Sequence, residues 1–291
     1  MCPFAWIVSI AVSLSVAACA DVAPQAVEHG IVIEHVTLIS PEKEGPFGPV
    51  NVAIQDGRIA AVGTTLRAGA GARRIEGRGR YLIPGLIDTH VHVGHVMALD
   101  DAAIEKRPEL VEAYRAQVPR AFLAFGFTTL VDVDLRPQSR AWFDAMPLHP
   151  RLFHCGRGVQ IAGGYGALRI PPDAAEHAFP HLLYEPEQAA RWPATLDPAQ
   201  HTPARVVERV AEAQGICVKA FVESGFGIFE WPVPRPETLN ALRAHTAARD
   251  LKFVVHATSS EAWRAALNAR ADVIAHGLWH WPGDRMDARL A

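Results

Sequence analysis

The sequence has little cysteine and almost no net charge. Four cysteines in 291 residues are too few for a fold held together by a disulfide framework. The 28 Lys and Arg residues nearly balance the 31 Asp and Glu residues, so we expect no broad basic surface and no nucleic acid partner. Hydrophobic residues make up 49% and charged residues 20%, which excludes a disordered or collagen-like chain. These values indicate a globular protein, and its pattern favours an α/β enzyme.

The N-terminal segment has no charged side chain between Cys2 and Ala20. It lacks the polar stripe of a core helix, so we predict a signal peptide over residues 1–23. The stretch Val16-Ala17-Ala18-Cys19 resembles a bacterial lipobox, and Cys19 is then the lipidated residue. The expected location is therefore the periplasm or the outer membrane, as an exported, lipid-anchored protein. An uncleaved membrane anchor is the alternative, since about 20 apolar residues span a bilayer.

Two cysteines remain in the folded part of the chain, Cys155 and Cys217. Both lie in apolar runs that have the composition of β-strands. We expect them to be buried free thiols, because free cysteine behaves as a small apolar residue; a disulfide between them is the alternative.

The pattern of apolar residues changes near Tyr81. Before it, β-branched runs surround Asp56-Gly57, and this dipeptide predicts a hairpin. After it, apolar strands alternate with helical stretches, which indicates βα units around a parallel sheet. Residues 156–202 fit neither period and are predicted to form a lid or a binding loop. The six strand candidates of the second part are Tyr81–His92, Thr128–Asp134, Arg151–Val159, Ile216–Glu223, Lys252–Thr258 and Val273–Leu278.

Two histidines end the first of these strands. His90 and His92 are two residues apart, so their side chains point to the same side of a strand. Two neutral imidazoles that converge in this way make half of a Zn²⁺ site. A His-x-His pair by itself is common in proteins, and further residues are needed to support the prediction.

Three later strands carry a suitable group at a comparable place: Lys219, His256 and His276. A lysine inside an apolar strand is costly unless it is neutralised or paired. Carbamylation by CO₂ would convert the amine into a carboxylate that bridges two cations, whereas an ion pair with Glu223 is the alternative. Each histidine alone is better explained as a hydrogen-bonded core residue. Together, the polar residues of four apolar strands favour a shared cation site.

These residues and the segment Pro-Gly-Leu-Ile-Asp-Thr-His-Val-His resemble the amidohydrolase superfamily, in particular its imidazolonepropionase-like and Xaa-Pro dipeptidase-like members. The resemblance implies an α/β fold, a metal-dependent (β/α)₈ barrel of the TIM type. Residues 24–80 would form the N-terminal part of a small β-sandwich, and residues 81–291 the barrel. The resemblance also implies that His90 and His92 hold a buried ion, that His256 and His276 hold an exposed one, and that carbamylated Lys219 bridges them.

The resemblance further implies a cofactor and a reaction. The cofactor is a divalent metal, one or two zinc ions, and the substrate is a small molecule. A metal-bound hydroxide would attack the carbonyl of an amide or a cyclic amide and break its carbon–nitrogen bond. The oligomeric state leaves no signal in the sequence.

The pattern departs from the family after Leu278, where no further strand is recognised. We therefore expect a C-terminally truncated, incomplete barrel of about six strands. The aspartate that the family places after strand eight has no counterpart, so the catalytic residue is unassigned and activity is expected to be impaired. The alternative is a non-catalytic, lipid-anchored binding module or an inactive fragment of the same fold.

The other polar residues are predicted to lie in supporting, loop or surface positions. His95 is expected in a loop behind the site, and Asp132 and Asp134 are expected to support the histidines. The segment Gly163-Gly164-Tyr165-Gly166 stands where relatives place a substrate-facing loop. The remaining histidines are expected at the surface or in loops: His149, His154, His177, His181, His201, His245 and His280.

Overall fold

The computed structural model describes residues 25–96, 106–168 and 179–279. The predicted signal peptide and Cys19 lie outside these ranges, as do His177 and His280. Within them, no helix is both long enough and apolar enough to cross a membrane. The chain divides after Pro84 into two compact units.

The first unit is built from β-strands alone. The antiparallel hairpin predicted around Asp56-Gly57 is confirmed: Gln55 pairs with Arg58, and both turn residues have a positive φ, 50° and 72°. A five-stranded sheet has the order β4-β3-β2-β6 with β7 also paired to β2, and β1 pairs with β5. The strands are β1 Gln25–Val27, β2 Gly30–Leu38, β3 Phe47–Gln55, β4 Arg58–Gly63, β5 Leu66–Ala68, β6 Ala72–Glu76 and β7 Tyr81–Leu82.

The second unit alternates parallel strands with helices, as predicted. Its principal strands are β8 Leu86–Val91, β9 Phe127–Asp132, β10 Arg151–His154, β13 Cys217–Val222, β14 Lys252–Ala257 and β15 Val273–Ile274. Its helices are α1 Pro108–Ala124, α2 Pro137–Asp144, α3 Pro203–Glu212, α4 Pro236–Ala247 and α5 Ser260–Asn268. The strands pair in the order β8-β9-β10 and β13-β14-β15. Between the two groups, Ile216 N donates a hydrogen bond of 2.8 Å to His154 O.

The predicted strand Tyr81–His92 is wrong in its extent, because the chain breaks it at Ile83-Pro84-Gly85. Tyr81 and Leu82 pair with Thr37 and Leu38 of the first unit, while β8 begins only at Leu86. Proline has no N–H to donate to a ladder. Gly85 lies against Thr128 of the neighbouring strand so closely that a Cβ at this position would overlap the threonine side chain.

Two of the five helices described above begin at a side-chain cap. Thr202 Oγ1 accepts a hydrogen bond from Arg205 N at 3.4 Å, and Pro203 is the first residue of α3. The cap of α5 is Ser259, whose hydroxyl accepts from Ala262 N at 3.2 Å. Helices α3, α4 and α5 pack on β13 and β14. Their largest shared core cluster includes Val206, Val218, Leu242, Phe253 and Val255, all fully buried.

The prediction of two free thiols is wrong. Cys155 and Cys217 form a disulfide with their Cα atoms 4.3 Å apart. Both are buried, at the end of β10 and the start of β13, where the hydrogen bond from Ile216 to His154 brings the two strands together. The two cysteines are 62 positions apart, and the sequence between them does not indicate that they are adjacent in the fold.

The segment without a regular period contains few regular elements where it is described. It has two short strands, β11 Gln160–Ile161 and β12 Leu182–Leu183, which pair with each other, and two 3₁₀ turns, Pro186–Arg191 and Pro198–Gln200. Val159 also forms a bridge to Ala220 of β13. This bridge places the start of the segment beside the strand that carries Lys219. Its role as a lid stays a prediction.

Three of the histidines expected at the surface or in loops are buried: His154 lies in β10, which contradicts the expectation, whereas His181 and His201 lie in loops. His154, His181 and His201 are each less than 10% exposed. His154 Nδ1 accepts from Gly156 N at 3.0 Å, while Nδ1 of His181 and of His201 donates to a backbone carbonyl at 2.6 and 2.7 Å. Each imidazole thereby pairs with a backbone N–H or C=O group, that of Gly156, Arg157 or Leu182.

Candidate metal centre

The first two histidines lie at the end of β8. Asp88 Oδ1 accepts a hydrogen bond of 3.0 Å from His90 N, which fixes the backbone before the first imidazole. His90 Nδ1 donates to Ala275 O at 3.2 Å, so its Nε2 keeps a free lone pair. Ala275 directly follows β15. The first and sixth strands of the unit therefore end close to each other.

The imidazoles of four strand-end histidines form one contiguous group. The ring centroid of His90 lies 5.3 Å from that of His92 and 4.8 Å from that of His276. The ring of His256 lies 4.5 Å from that of His276. The structure thus brings together the histidines singled out in three separate strands.

Lys219 is buried beside these four rings. Its side chain is 1% exposed, and its Nζ lies 5.0 Å from the centroid of the Phe221 ring. Its charge contributes to lowering the pKa of all four imidazoles: His90, His92, His256 and His276. Burial lowers the pKa of Lys219 itself to about 8, against an opposing pull from Asp134. The amine is therefore easier to deprotonate than an exposed lysine.

Burial of the four imidazoles keeps these rings neutral. Burial, together with the neighbouring charges, lowers the pKa of His92 to about 3 and that of His276 to about 4, although Glu223 opposes the shift of His276. A neutral imidazole has one nitrogen with a free lone pair, which is the form that binds a metal. His92 Nδ1 is buried and has no hydrogen-bond partner among the described residues. These observations suit a divalent cation.

Glu223 is a site residue that the sequence reasoning treated only as an alternative partner for Lys219. The structure gives it other partners. Its Oε1 accepts from Gly225 N at 2.9 Å and Phe226 N at 2.7 Å, and its Oε2 accepts from the Thr258 hydroxyl. Its Oε2 also lies 3.4 Å from His256 Nε2. The available signal was its place four residues after Lys219, directly beyond the end of β13.

The hydrogen bonds of Glu223 determine which ring nitrogen of His256 carries the hydrogen. Burial raises the pKa of Glu223, but the hydrogen bonds from Thr258 and the two loop amides outweigh this effect, so its pKa lies below the ordinary value. The ionised carboxylate then accepts a hydrogen bond from the Nε2–H group of His256. The free lone pair of His256 is therefore on Nδ1.

A second group of possible ligands shares His92. One ligand atom each from His92, His95 and Asp134 lie within 4.8 Å of one another. The rings of His92 and His95 are stacked with centroids 4.7 Å apart. Asp134 is also paired with Arg157 at 2.9 Å, which lowers the charge available to a cation.

Asp132 supports the strand end through the backbone rather than through an imidazole. Its Oδ2 accepts from Val93 N at 2.7 Å, and its Oδ1 accepts from Asp134 N at 2.8 Å. Burial raises the pKa of Asp132 to about 7, although the two hydrogen bonds oppose this. The carboxyl group thus holds the turn that follows His92.

Comparison with known proteins agrees with this arrangement. Residues 81–278 match the model of the amidohydrolase family. The chain is 32% identical over 100 residues to a dihydroorotase of Trichlorobacter lovleyi, covering 34% of this chain and 21% of that protein. It is 40% identical over 77 residues to a deacetylase of Agrobacterium fabrum, covering 26% of this chain and 16% of that protein.

The fold is also found among solved structures. A Xaa-Pro dipeptidase with methionine bound in its active site superimposes with a TM-score of 0.65 at 19% identity, covering 89% of this chain and 63% of the dipeptidase. The chain therefore matches only part of the length of each of these relatives. The family match covers residues 81–278, which is most of the chain and includes all four strand-end histidines and Lys219. The chain belongs to the amidohydrolase family, whose members are metal-dependent hydrolases.

Proposed function

We propose that this protein is a metal-dependent hydrolase that cleaves a carbon–nitrogen bond in a small amide or cyclic amide. The observation that carries the proposal is the group of four neutral imidazoles around a buried lysine, at the ends of separate strands. Proteins similar to this chain include a dihydroorotase, deacetylases and an imidazolonepropionase, and their names support this class of bond.

The metal would be held by His90, His92, Lys219, His256 and His276. A divalent cation such as zinc supplies Lewis acidity towards a carbonyl and lowers the pKa of water. Lys219 in its protonated form adds positive charge to the site, which opposes cation binding. Carbamylation removes this conflict: Nζ bonds to the carbon of CO₂ and loses a proton, and the product is a carboxylate.

The surrounding residues would keep the ligands oriented. Ala275 O holds Nδ1 of His90, and Glu223 holds Nε2 of His256, so one nitrogen of each ring is left for the cation. Hydrogen bonds of this kind fix both the tautomer and the ring direction. The general acid or base of the reaction is unassigned.

The proposed architecture follows the same reasoning. We propose that β8, β9, β10, β13, β14 and β15 are the first six strands of a TIM-type barrel. The first unit would be the N-terminal part of a β-sandwich. The family match and the parallel pairing support the barrel, and the paired sheets of the first unit support the sandwich.

The test of the metal centre compares two variants. Lys219→Ala removes the proposed bridging ligand and should reduce the zinc content of the purified protein, measured by elemental analysis. Short carboxylic acids added to this variant should restore part of the zinc and part of the hydrolysis of an amide library. Asp134→Asn is the comparison variant, since it removes the carboxylate of the alternative group with His92 and His95, together with the ion pair to Arg157.

Each outcome points to one arrangement. Full zinc occupancy in Lys219→Ala together with loss of zinc in Asp134→Asn would place the cation at the alternative group and refute the bridging role. A zinc-loaded wild-type protein that hydrolyses no amide, ester or lactone would favour a non-catalytic binding module.

We also propose that the protein is exported and lipid-anchored through Cys19. The disulfide between Cys155 and Cys217 supports this, because such bonds persist in oxidising compartments. The test is metabolic labelling with a radioactive fatty acid, followed by fractionation. Cys19→Ala should lose the label and the membrane association. Label retained by this variant would refute the lipobox prediction.

A further inference from the structure

Aromatic side chains from three separate loops meet beside the imidazole group. Tyr165 follows β11, Phe226 and Trp231 follow β13, and Trp279 follows β15; we call these four residues the aromatic cluster. The ring of Tyr165 lies 5.4 Å from that of Phe226 and 5.6 Å from that of Trp231. The rings of Phe226 and Trp279 are nearly parallel with centroids 6.3 Å apart. Separate parts of the chain thus build one aromatic wall.

This wall continues directly from the candidate metal ligands. Tyr165 stacks on His256 with centroids 5.0 Å apart and planes at 28°. Trp279 lies 5.3 Å from His276. Any molecule whose carbonyl reaches these two imidazoles therefore has its neighbouring substituent within reach of the cluster.

The loop after β13 is held in shape by its own hydrogen bonds. Glu223 accepts from the amides of Gly225 and Phe226, and Gly225 O accepts from Ile228 N and Phe229 N, both at 2.9 Å. Gly225 has a φ of 124°, and a Cβ there would overlap the backbone of Phe229. Such a loop presents its rings without first having to be ordered.

Phe226 has an unusual backbone for an aromatic residue. Its φ is 56°, in the left-handed region that bulky residues rarely occupy. Residues held in this region concentrate at ligand sites, where the surrounding structure enforces them. The two hydrogen bonds to Glu223 enforce it here.

The cluster has free ring surface and little available charge. Trp279 is 59% exposed, while the other three rings are half-buried. Arg157 is paired with Asp134, and Glu223 with the loop amides and Thr258, whereas Glu230 of the same loop is an exposed carboxylate. An apolar, planar ligand fits this wall better than one that carries a carboxylate.

We propose that the aromatic cluster is a subsite for an aryl group next to the scissile amide, so that the preferred substrates are neutral aryl amides. This inference rests on the proposed function. Stacking on the cluster would place the amide carbonyl at the imidazole group, and the aryl group can belong to either the acyl or the amine part of the substrate.

Binding is tested first, independently of catalysis. Saturation-transfer NMR on the purified protein compares phenylacetamide with acetamide, both with and without added zinc. We expect transfer to the phenyl protons only, and weaker transfer in Phe226→Leu and in Trp279→Leu. The second variant changes an exposed ring, so it tests the subsite even if the first fails to fold. Ile228→Ser is the control, because this side chain is 79% exposed in the same loop but has no ring.

Hydrolysis is tested with matched amides. The value of kcat/KM is compared for N-methylacetamide, N-methylphenylacetamide and acetanilide, with acetylglycine as the carboxylate-bearing probe. The aryl amides should be preferred over the methyl amide and over acetylglycine. Each ring removed should lower this preference roughly fivefold, the factor expected for one aromatic contact, with the zinc content unchanged.

The outcomes separate this inference from the proposed function. Aryl binding that depends on Phe226 or Trp279 in a protein without zinc or hydrolysis would support the subsite and refute the hydrolase proposal. Zinc-dependent hydrolysis with no aryl preference and no phenyl transfer would refute the subsite alone. A dimer in sedimentation experiments that dissociates in Trp279→Leu, again without aryl binding, would assign the cluster to a second copy of the chain and refute the subsite.

Discussion

Removal of the disulfide should destabilise the second unit by a predictable amount. Cys155 and Cys217 are separated by 62 residues, and cross-linking a loop of this length lowers the entropy of the unfolded chain by an amount worth about 4 kcal/mol at 25 °C. The double variant Cys155→Ala/Cys217→Ala leaves small apolar side chains in a pocket that includes Val133 and Val254. Most of the measured loss should therefore come from the lost cross-link.

The assay is denaturant unfolding of both proteins after expression in an oxidising compartment. Mass spectrometry after alkylation under denaturing conditions establishes the redox state of each sample. Wild-type protein reduced in denaturant and then refolded serves as a second comparison, since it has the same sequence without the bond. A difference in the free energy of unfolding below about 1 kcal/mol, or two alkylated cysteines in the oxidised sample, would refute the reasoning.

Two further predictions concern buried side chains. Burial lowers the pKa of His181 to about 4, so below pH about 6.5 the folded protein binds fewer protons than the unfolded chain. The free energy of unfolding therefore has its full value above pH about 6.5 and falls by about 3 kcal/mol as the pH drops towards 4. His181→Asn keeps a donor for Arg157 O and should remove this part of the pH dependence in denaturant titrations, and an unchanged slope would contradict the assignment. Glu223→Gln turns an NH₂ group towards His256 Nε2 or Thr258 and should weaken zinc binding about 10- to 100-fold in competition with a chelator. Glu230→Gln, an exposed change in the same loop, should leave zinc binding unchanged; equal affinity in both variants would refute the positioning role.

The site residues that could be predicted from the sequence are the polar residues that interrupt apolar strands. A lysine or a histidine in an apolar strand is unusual enough to be noticed, and the parallel arrangement of βα units explains why Lys219, His256 and His276 meet. The hairpin at Asp56-Gly57 was equally accessible, because its turn needs two residues that tolerate a positive φ. Local chemistry was sufficient in these cases.

Features that depend on distant neighbours were missed or misjudged. The disulfide requires β10 and β13 to be adjacent, and nothing within either strand indicates this. Glu223 looks like an ordinary polar residue at a strand end until Thr258 and His256 are placed beside it. His181 and His201 are buried with Nδ1 bonded to the carbonyls of Arg157 and Leu182, which lie 24 and 19 positions away in the sequence.

The close approach of Gly85 to Thr128 distinguishes the packing role of one part of a short motif from the metal-binding role of the other part. The dipeptide Pro84-Gly85 directly precedes β8, and a Cβ at Gly85 would overlap the side chain of Thr128. A protein that had lost both His90 and His92 would still need that glycine to pack its sheet. In a related sequence, Pro-Gly at this place therefore indicates how the sheet packs, whereas the two histidines that follow indicate the metal site.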